Sequence, residues 1–135
     1  MRIMAIDLGD ARTGLAVSDL TGSIAGEAWT LKEWNPERVA DAIAVEAKAR
    51  DVGTLVLGYP KNMDGTLGPR AEKSEAFAQL LTEKTGLKVV LWDERRTTVD
   101  AHRILSDNDR HGKRRKQTVD AVAATLILEG YLNRL

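Results

Sequence analysis

Arg2-Ile3-Met4-Ala5-Ile6-Asp7-Leu8-Gly9 opens the chain with an apolar run that carries one carboxylate near its end. A short apolar run closed by a turn signal reads as a buried strand, here residues 2 to 8. Gly9-Asp10-Ala11-Arg12 is the turn and Thr13 to Ser18 the hairpin partner, with a third strand over Ile24 to Leu31 after Thr21-Gly22-Ser23. An unpaired charge buried in such a strand costs on the order of several kcal/mol, so Asp7 has to meet a cation, a proton or hydrogen-bond donors.

Beyond the meander the hydrophobic period changes from that of strands to that of helices. Asn35-Pro36 is a cap followed by proline at the first helical position, and the helix runs to about Arg50. Its apolar side is expected at Val39, Ala42, Ile43, Val45 and Ala49, with Gly53 ending it. Thr54 to Gly58 is a continuously apolar strand of the kind covered on both faces, leading into the turn-rich segment Tyr59 to Gly68. Pro69 starts a helix to about Thr85 with Phe77, Leu80 and Leu81 inward, and Gly86 stops it. Lys88 to Asp93 is another core strand. Thr97 or Thr98 caps a helix through Leu105, Ser106 to Gly112 is a polar loop, and a last helix covers about Lys113 to Asn133. The order β-β-β-α-β-α-β-α-α predicts a single α/β domain over residues 1 to 135, a mixed five-stranded sheet of meander plus parallel strands, flanked by helices.

The composition suits one core. With 135 residues, 43% hydrophobic and 30% charged, the chain has the make-up of an ordinary soluble domain, and no stretch approaches the ~20 apolar residues of a membrane span. No cysteine is present, so disulfides and thiolate metal sites are excluded, and the expected location is cytoplasmic. The formal net charge of zero hides a local excess. Residues 110 to 135 hold six cations (Arg110, Lys113, Arg114, Arg115, Lys116, Arg134) against Asp120 and Glu129. Such a run can grip phosphates or simply be solvated.

Three acidic positions are candidates to share a cation. Asp7 ends the first strand; Asp93-Glu94 follows the Lys88 to Asp93 strand; Asp120 lies among Val119, Val122, Ala123 and Leu126 in the last helix. Ligands in open α/β sheets bind outside the carboxyl ends of the strands, where the first two of these positions fall. Side chains alternate along a strand, so only one of Asp93 and Glu94 is expected to meet Asp7. Each acid also has a plainer role: a strand-end carboxylate accepting turn amides, a helix cap, or a surface pair of Asp120 with Lys116 one turn before it.

Asp7-Leu8-Gly9, Arg12-Thr13-Gly14, Gly58-Tyr59-Pro60 with Asn62-Met63-Asp64-Gly65-Thr66, Asp93-Glu94-Arg95 with Thr97-Thr98, and Lys116 with Asp120 and Ala123-Ala124 resemble the YqgF family, also called RuvX-like or pre-16S rRNA nuclease. The resemblance covers nearly the whole chain. It implies an RNase H-like three-layer fold related to RuvC-type resolvases, and a nuclease that processes the 5′ end of precursor 16S rRNA. It maps the metal ligands onto Asp7, Glu94 and Asp120, with Asp93 as substitute for Glu94, and Mg²⁺ or Mn²⁺ as the ion. Lys116 joins them as a catalytic cation. Arg12, Asn62, Asp64, Thr66, Arg95, Lys113 and Arg114 are the expected substrate contacts. Two positions depart from the family pattern: Tyr59 stands where leucine is expected, and Ala123 or Ala124 where related resolvases place a further acid.

Expected partners are precursor rRNA, ribosome assembly intermediates or structured DNA, for a monomer or weak homodimer without membrane association. Two rival readings keep the fold: a resolvase of four-way DNA junctions, and a non-catalytic RNA-binding assembly or transcription factor. A nucleotide-binding domain of the actin-like class also carries an Asp-x-Gly turn, but that class needs two such domains.

Overall fold

The alternation of apolar runs and Pro or Gly punctuation resolves, among the described residues, into five strands and three long helices in the computed structural model. It describes residues 1–60, 67–93 and 113–134, and for residues 113–118 the backbone alone. The strands are β1 (Arg2–Asp7), β2 (Arg12–Ser18), β3 (Ala25–Lys32), β4 (Val52–Tyr59) and β5 (Lys88–Asp93); the helices are α1 (Pro36–Ala49), α2 (Pro69–Thr85) and α3 (Lys113–Leu132). The expected helix from Thr97 or Thr98 to Leu105 and the loop to Gly112 lie outside the described residues.

One sheet holds all five strands in the order β3-β2-β1-β4-β5. β1 pairs antiparallel with β2, and β2 with β3, while β1, β4 and β5 run parallel. Parallel pairing needs crossovers, and α1 and α2 supply those on either side of β4 in sequence. The carboxyl ends of β1, β4 and β5 therefore share one edge of the sheet with the start of β2 and the end of β3.

Both faces are buried, which is why β1 and β4 read as continuous apolar runs. Met4, Ile6, Leu15, Leu55 and Leu57 pack with Val39, Ala40, Ile43 and Ala47 of α1 and Phe77 and Leu81 of α2. Ala5, Ala16 and Val56, one residue out of phase, pack with Ala124, Ile127, Leu128 and Tyr131 of α3. The result is three layers, α1 and α2 over one face and α3 over the other. The small residues Ala5 and Ala16 on the α3 side let that helix lie close to the sheet.

Local signals account for the helix ends. Asn35 Oδ1 accepts the Glu37 N–H at 2.9 Å, with Pro36 behind it at the first helical position. Gly86 takes φ +69° and donates its N–H to the Thr82 carbonyl at 2.9 Å, closing α2. Two expectations need correction. Val45 is 67% exposed and Ala49 is exposed as well, because the buried stripe follows the 3.6-residue period through Val39, Ile43 and Ala47 and turns Val45 away. Nor does Gly53 end α1: the helix stops at Ala49, Asp51 takes the left-handed turn at φ +58°, and Gly53 lies within β4 against Met1.

Candidate active site

Asp7 is the last residue of β1, and its partner across the antiparallel ladder is Gly14 of β2. Directly paired residues project from the same face. Ala5 and Ala16, two residues from Asp7 and Gly14, pack on α3, so Asp7 and Gly14 also face α3. What lies over Gly14 is the backbone of Asp120. A side-chain carbon at position 14 would sit 1.9 Å from the Asp120 carbonyl oxygen and 2.5 Å from its carbon. The residue paired with the first acid is thus in backbone contact with the helical acid 106 positions later in the chain.

Asp120 holds this place because α3 aims it there. The core-facing residues Ala124, Ile127, Leu128 and Tyr131 recur at helical spacing, and one turn before Ala124 the same stripe reaches Asp120. Asp120 is half-buried, while its neighbour Val119 is 44% exposed. The acid therefore continues the core stripe rather than lying on the solvent side. Lys116 is one further turn toward the start of α3, and Lys113 and Arg114 occupy its first turn. The side chains of those three lie outside the described atoms.

The end of β5 places the first of the two neighbouring acids. Trp92 packs on the α3 side, its ring edge-on to Tyr131 at 6.0 Å and against Gly130. Asp93, one residue on, belongs to the opposite face. Its register partner is Tyr59, whose hydroxyl donates to Glu75 on α2. That bond, with Glu75 as an anion beside it, raises the Tyr59 pKa. The tyrosine that replaces the expected leucine thus ties the end of β4 to α2 and leaves the α3 face alone. Asp93 therefore does not share the face of the sheet on which Asp7 and the Asp120 backbone lie. Glu94 and Arg95 lie outside the described residues, as do Asn62, Asp64 and Thr66.

Arg12 is exposed at the start of β2, two residues beyond Gly14 on the α3 face, and is paired in register with Lys32. The tight turn before it depends on Gly9, where a side chain would meet the Arg12 carbonyl oxygen at 2.2 Å. Gly9 and Gly14 therefore make room for the protein's own backbone. On the other face of the same edge, Leu8, Gly58, Pro60, Arg70 and Ser74 line a small cleft of about 120 Å³. There Lys73 Nζ lies 2.6 Å from Asp10 Oδ1, and its hydrogen bond and charge, with Arg70 adding to them, hold the Asp10 carboxyl below its usual range. Lys32, Lys73 and Arg70 were not foreseen as part of this edge, because nothing in their local sequence sets them apart from solvated lysines and arginines.

Among the described residues, no group of three His, Cys, Asp or Glu side chains is placed to hold a metal ion. The described part of the corner supplies two carboxylates, Asp7 from a strand and Asp120 from a helix. Oxygen-only donors of this kind fit a hard divalent cation that keeps water or substrate oxygens in its shell.

The comparisons agree with this architecture. The Thermus thermophilus RuvC bound to a Holliday junction substrate superposes with a TM-score of 0.63 at 13% identity, over 99% of this chain and 96% of that one, which is a likeness of fold. Two proteins named "Putative pre-16S rRNA nuclease" are far nearer in sequence. That of Shouchella clausii is 44% identical over 99% of this chain and 96% of its own length; that of Halothermothrix orenii is 44% identical over 98% and 95%. A family model described as "RuvX: Holliday junction resolvase" matches residues 1–134. Since that match runs through both halves of the acidic corner, from Asp7 on β1 to Asp120 on α3, the chain belongs to the RuvX family.

Proposed function

We propose that this protein is a phosphodiester hydrolase that uses Mg²⁺ or Mn²⁺ and acts on the 5′ end of precursor 16S rRNA. The observation that carries the reading is the contact of the Asp120 backbone with Gly14, the ladder partner of Asp7. Two carboxylates of like charge gathered at a sheet edge repel each other, and a bound cation offsets that repulsion. A divalent ion bound there supplies positive charge where negative charge builds up on a phosphate under attack. The names of the relatives support RNA as the substrate class.

The third ligand is assigned to Glu94. Along β5 the α3-facing positions are Val90 and Trp92, and the next residue of that parity is Glu94, whereas Asp93 shares its face with Tyr59. Asp7, Glu94 and Asp120 hold the ion. Lys116, a turn before Asp120 on α3, steadies that carboxylate or meets the scissile phosphate. Arg12 takes a flanking phosphate on the same face, and Asn62, Asp64, Thr66, Arg95, Lys113 and Arg114 are the remaining RNA contacts.

The test is cleavage of a model phosphodiester and of a 5′-extended 16S rRNA fragment, with and without Mg²⁺ or Mn²⁺. Asp7→Asn and Asp120→Asn should each lower the rate by about 100-fold or more, since loss of one charge-stabilising group commonly removes ~2.7 kcal/mol or more from the barrier reduction. A rate within about twofold of the parent, under ~0.5 kcal/mol, would sink the assignment. A second reading, cutting of four-way DNA junctions, is favoured by the family's description. It requires symmetric cuts by a two-fold dimer, so junction DNA left intact by a monomeric chain excludes it.

A further inference from the structure

Trp34 is 76% exposed, whereas Trp29 lies under the Arg50 guanidinium at 4.2 Å and Trp92 packs against Tyr131. Large aromatic residues are buried on average, so a bare indole calls for a partner. It has no structural task of the usual kind. Asn35 is the cap of α1, which puts Trp34 at the position before the cap, where an apolar side chain ordinarily packs on the fourth helical residue. Here that residue, Val39, is buried in the core at 2% exposed, while Trp34 keeps 76% of its surface in solvent.

Its setting is built and charged. The Glu33 N–H bonds to the Ala11 carbonyl at 3.1 Å, holding the end of β3 to the start of β2. Glu33 Oε2 then accepts the N–H groups of Trp34 at 2.8 Å and Asn35 at 3.3 Å, so the turn that presents the indole is fixed by its own hydrogen bonds. The Glu33 carboxylate is occupied by that turn and by Arg38 at 3.9 Å. On the α3 face, Asp7 is followed outward by Arg12 and then by Lys32, its ladder partner. From Asp7 to Lys32 is two strand spacings across and two residues along, roughly 12 Å. Trp34 comes two residues later at the same sheet edge.

We infer that Lys32, Arg12 and Trp34 form a platform for single-stranded RNA flanking the scissile phosphodiester, the two cations meeting phosphates and the indole stacking on a base. The inference rests on the nuclease reading for its substrate, but it has its own readout. A backbone-tracking pair of cations ending in an exposed aromatic ring is how strands are gripped without sequence preference. Stacking needs an unpaired base, so the platform selects single strands over duplexes.

The experiment measures binding of a fluorescent 12-nucleotide single-stranded RNA and of its duplex in metal-free buffer, with cleavage of the 5′-extended rRNA fragment followed separately. Trp34→Ala should weaken single-strand binding about tenfold, within the ~5- to 150-fold that stacking one base gives, with Trp34→Phe recovering most of it and duplex binding unchanged. In the cleavage assay Trp34→Ala should raise KM by a similar factor and leave kcat alone. Single-strand binding by Trp34→Ala within twofold of the parent overturns the platform even if metal-dependent cleavage is found. Trp34-dependent binding without any cleavage upholds the platform and removes the nuclease reading. A parent dimer that Trp34→Ala converts to monomer, with RNA affinity unchanged, assigns the indole to protein contact and also overturns it.

Discussion

Replacing Gly14 by alanine is the most direct probe of the contact between β2 and α3. The added carbon would sit 1.9 Å from the Asp120 carbonyl oxygen and 2.5 Å from its carbon, both backbone atoms, so no rotamer change relieves the clash. Reaching even 3.0 Å from the oxygen takes a displacement of about 1.1 Å, either of the first half of α3 away from the sheet or of β2 beneath it. Overpacking of this kind costs about 1–3 kcal/mol, which for a domain of this size lowers Tm by roughly 4–12 °C. The same movement separates Asp120 from Asp7. Metal-ligand distances tolerate about 0.2 Å, and a misplacement of about 1 Å can cost ~100-fold in rate. Gly14→Ala should therefore lose both metal-dependent cleavage and the rise in Tm expected of the parent with Mn²⁺, the second readout being independent of turnover. Gly26→Ala is the control, a glycine of the same meander whose added carbon is 3.1 Å from the Val17 carbonyl oxygen. It should cost less stability and keep the Mn²⁺ response. A Gly14→Ala protein that melts within about 1 °C of the parent and cleaves within about threefold would refute the close approach of α3 to β2.

Asp93→Asn should keep cleavage within about threefold, while Glu94→Gln should lose it as Asp7→Asn does; the reverse pattern in the same assay would mean that β5 presents its end residues with the other parity. Asp19 is held at a pKa of about 2 by hydrogen bonds from the Thr21 hydroxyl and the Ile24 and Ser23 amides. Because its folded pKa lies below the ordinary 3.8, the stabilisation it gives is complete above about pH 4 and is lost as pH falls through about 2. Asp19→Ala should therefore melt below the parent at pH 7, with the gap closing between pH 4 and pH 2 in a series of thermal scans. Leu57, fully buried between β1 and β5, should cost about 2–5 kcal/mol on Leu57→Ala, read as a lower urea midpoint with an unchanged m-value.

The fold was legible wherever the signal was local. Pro36 and Pro69 both stand at first helical positions, Gly86 closes α2 in the left-handed region, and β5 starts at Lys88 as its apolar run predicts. Misreadings came where two local signals compete. Gly53 looks like a helix stop, yet Asp51 makes the turn and the glycine serves a packing contact with Met1. Val45 has the right hydropathy for the core and the wrong angle. At the site, Asp7 and Asp120 could each be picked out as a carboxylate in apolar surroundings and were expected to share a cation, but the seating of the Asp120 backbone on Gly14 could not be read, since it depends on a strand pairing and a helix docking far apart in sequence. The face that Asp93 takes became readable only once Trp92 was seen to face α3. Trp34 escaped notice because a tryptophan before a helix cap ordinarily packs as a staple; only its exposure shows that it does not.

Two local rules are broken at the same point, and each breach explains the other. Glycine inside a strand weakens it by roughly 0.5–1 kcal/mol, and Gly14 sits in the middle of the sheet edge that most needs rigidity. An acid in place of an apolar residue shortens the core stripe of α3, which from Ala124 to Tyr131 is otherwise continuous. Taken singly, each change only destabilises. Together they let the helix backbone touch β2 at the ladder partner of Asp7, and they put a second acidic residue at that contact. A bulkier residue at 14 would hold the helix off, and an apolar residue at 120 would leave nothing to hold. Departures from local consistency that make sense only as a pair are what a functional constraint leaves in a fold, because stability alone would have removed both.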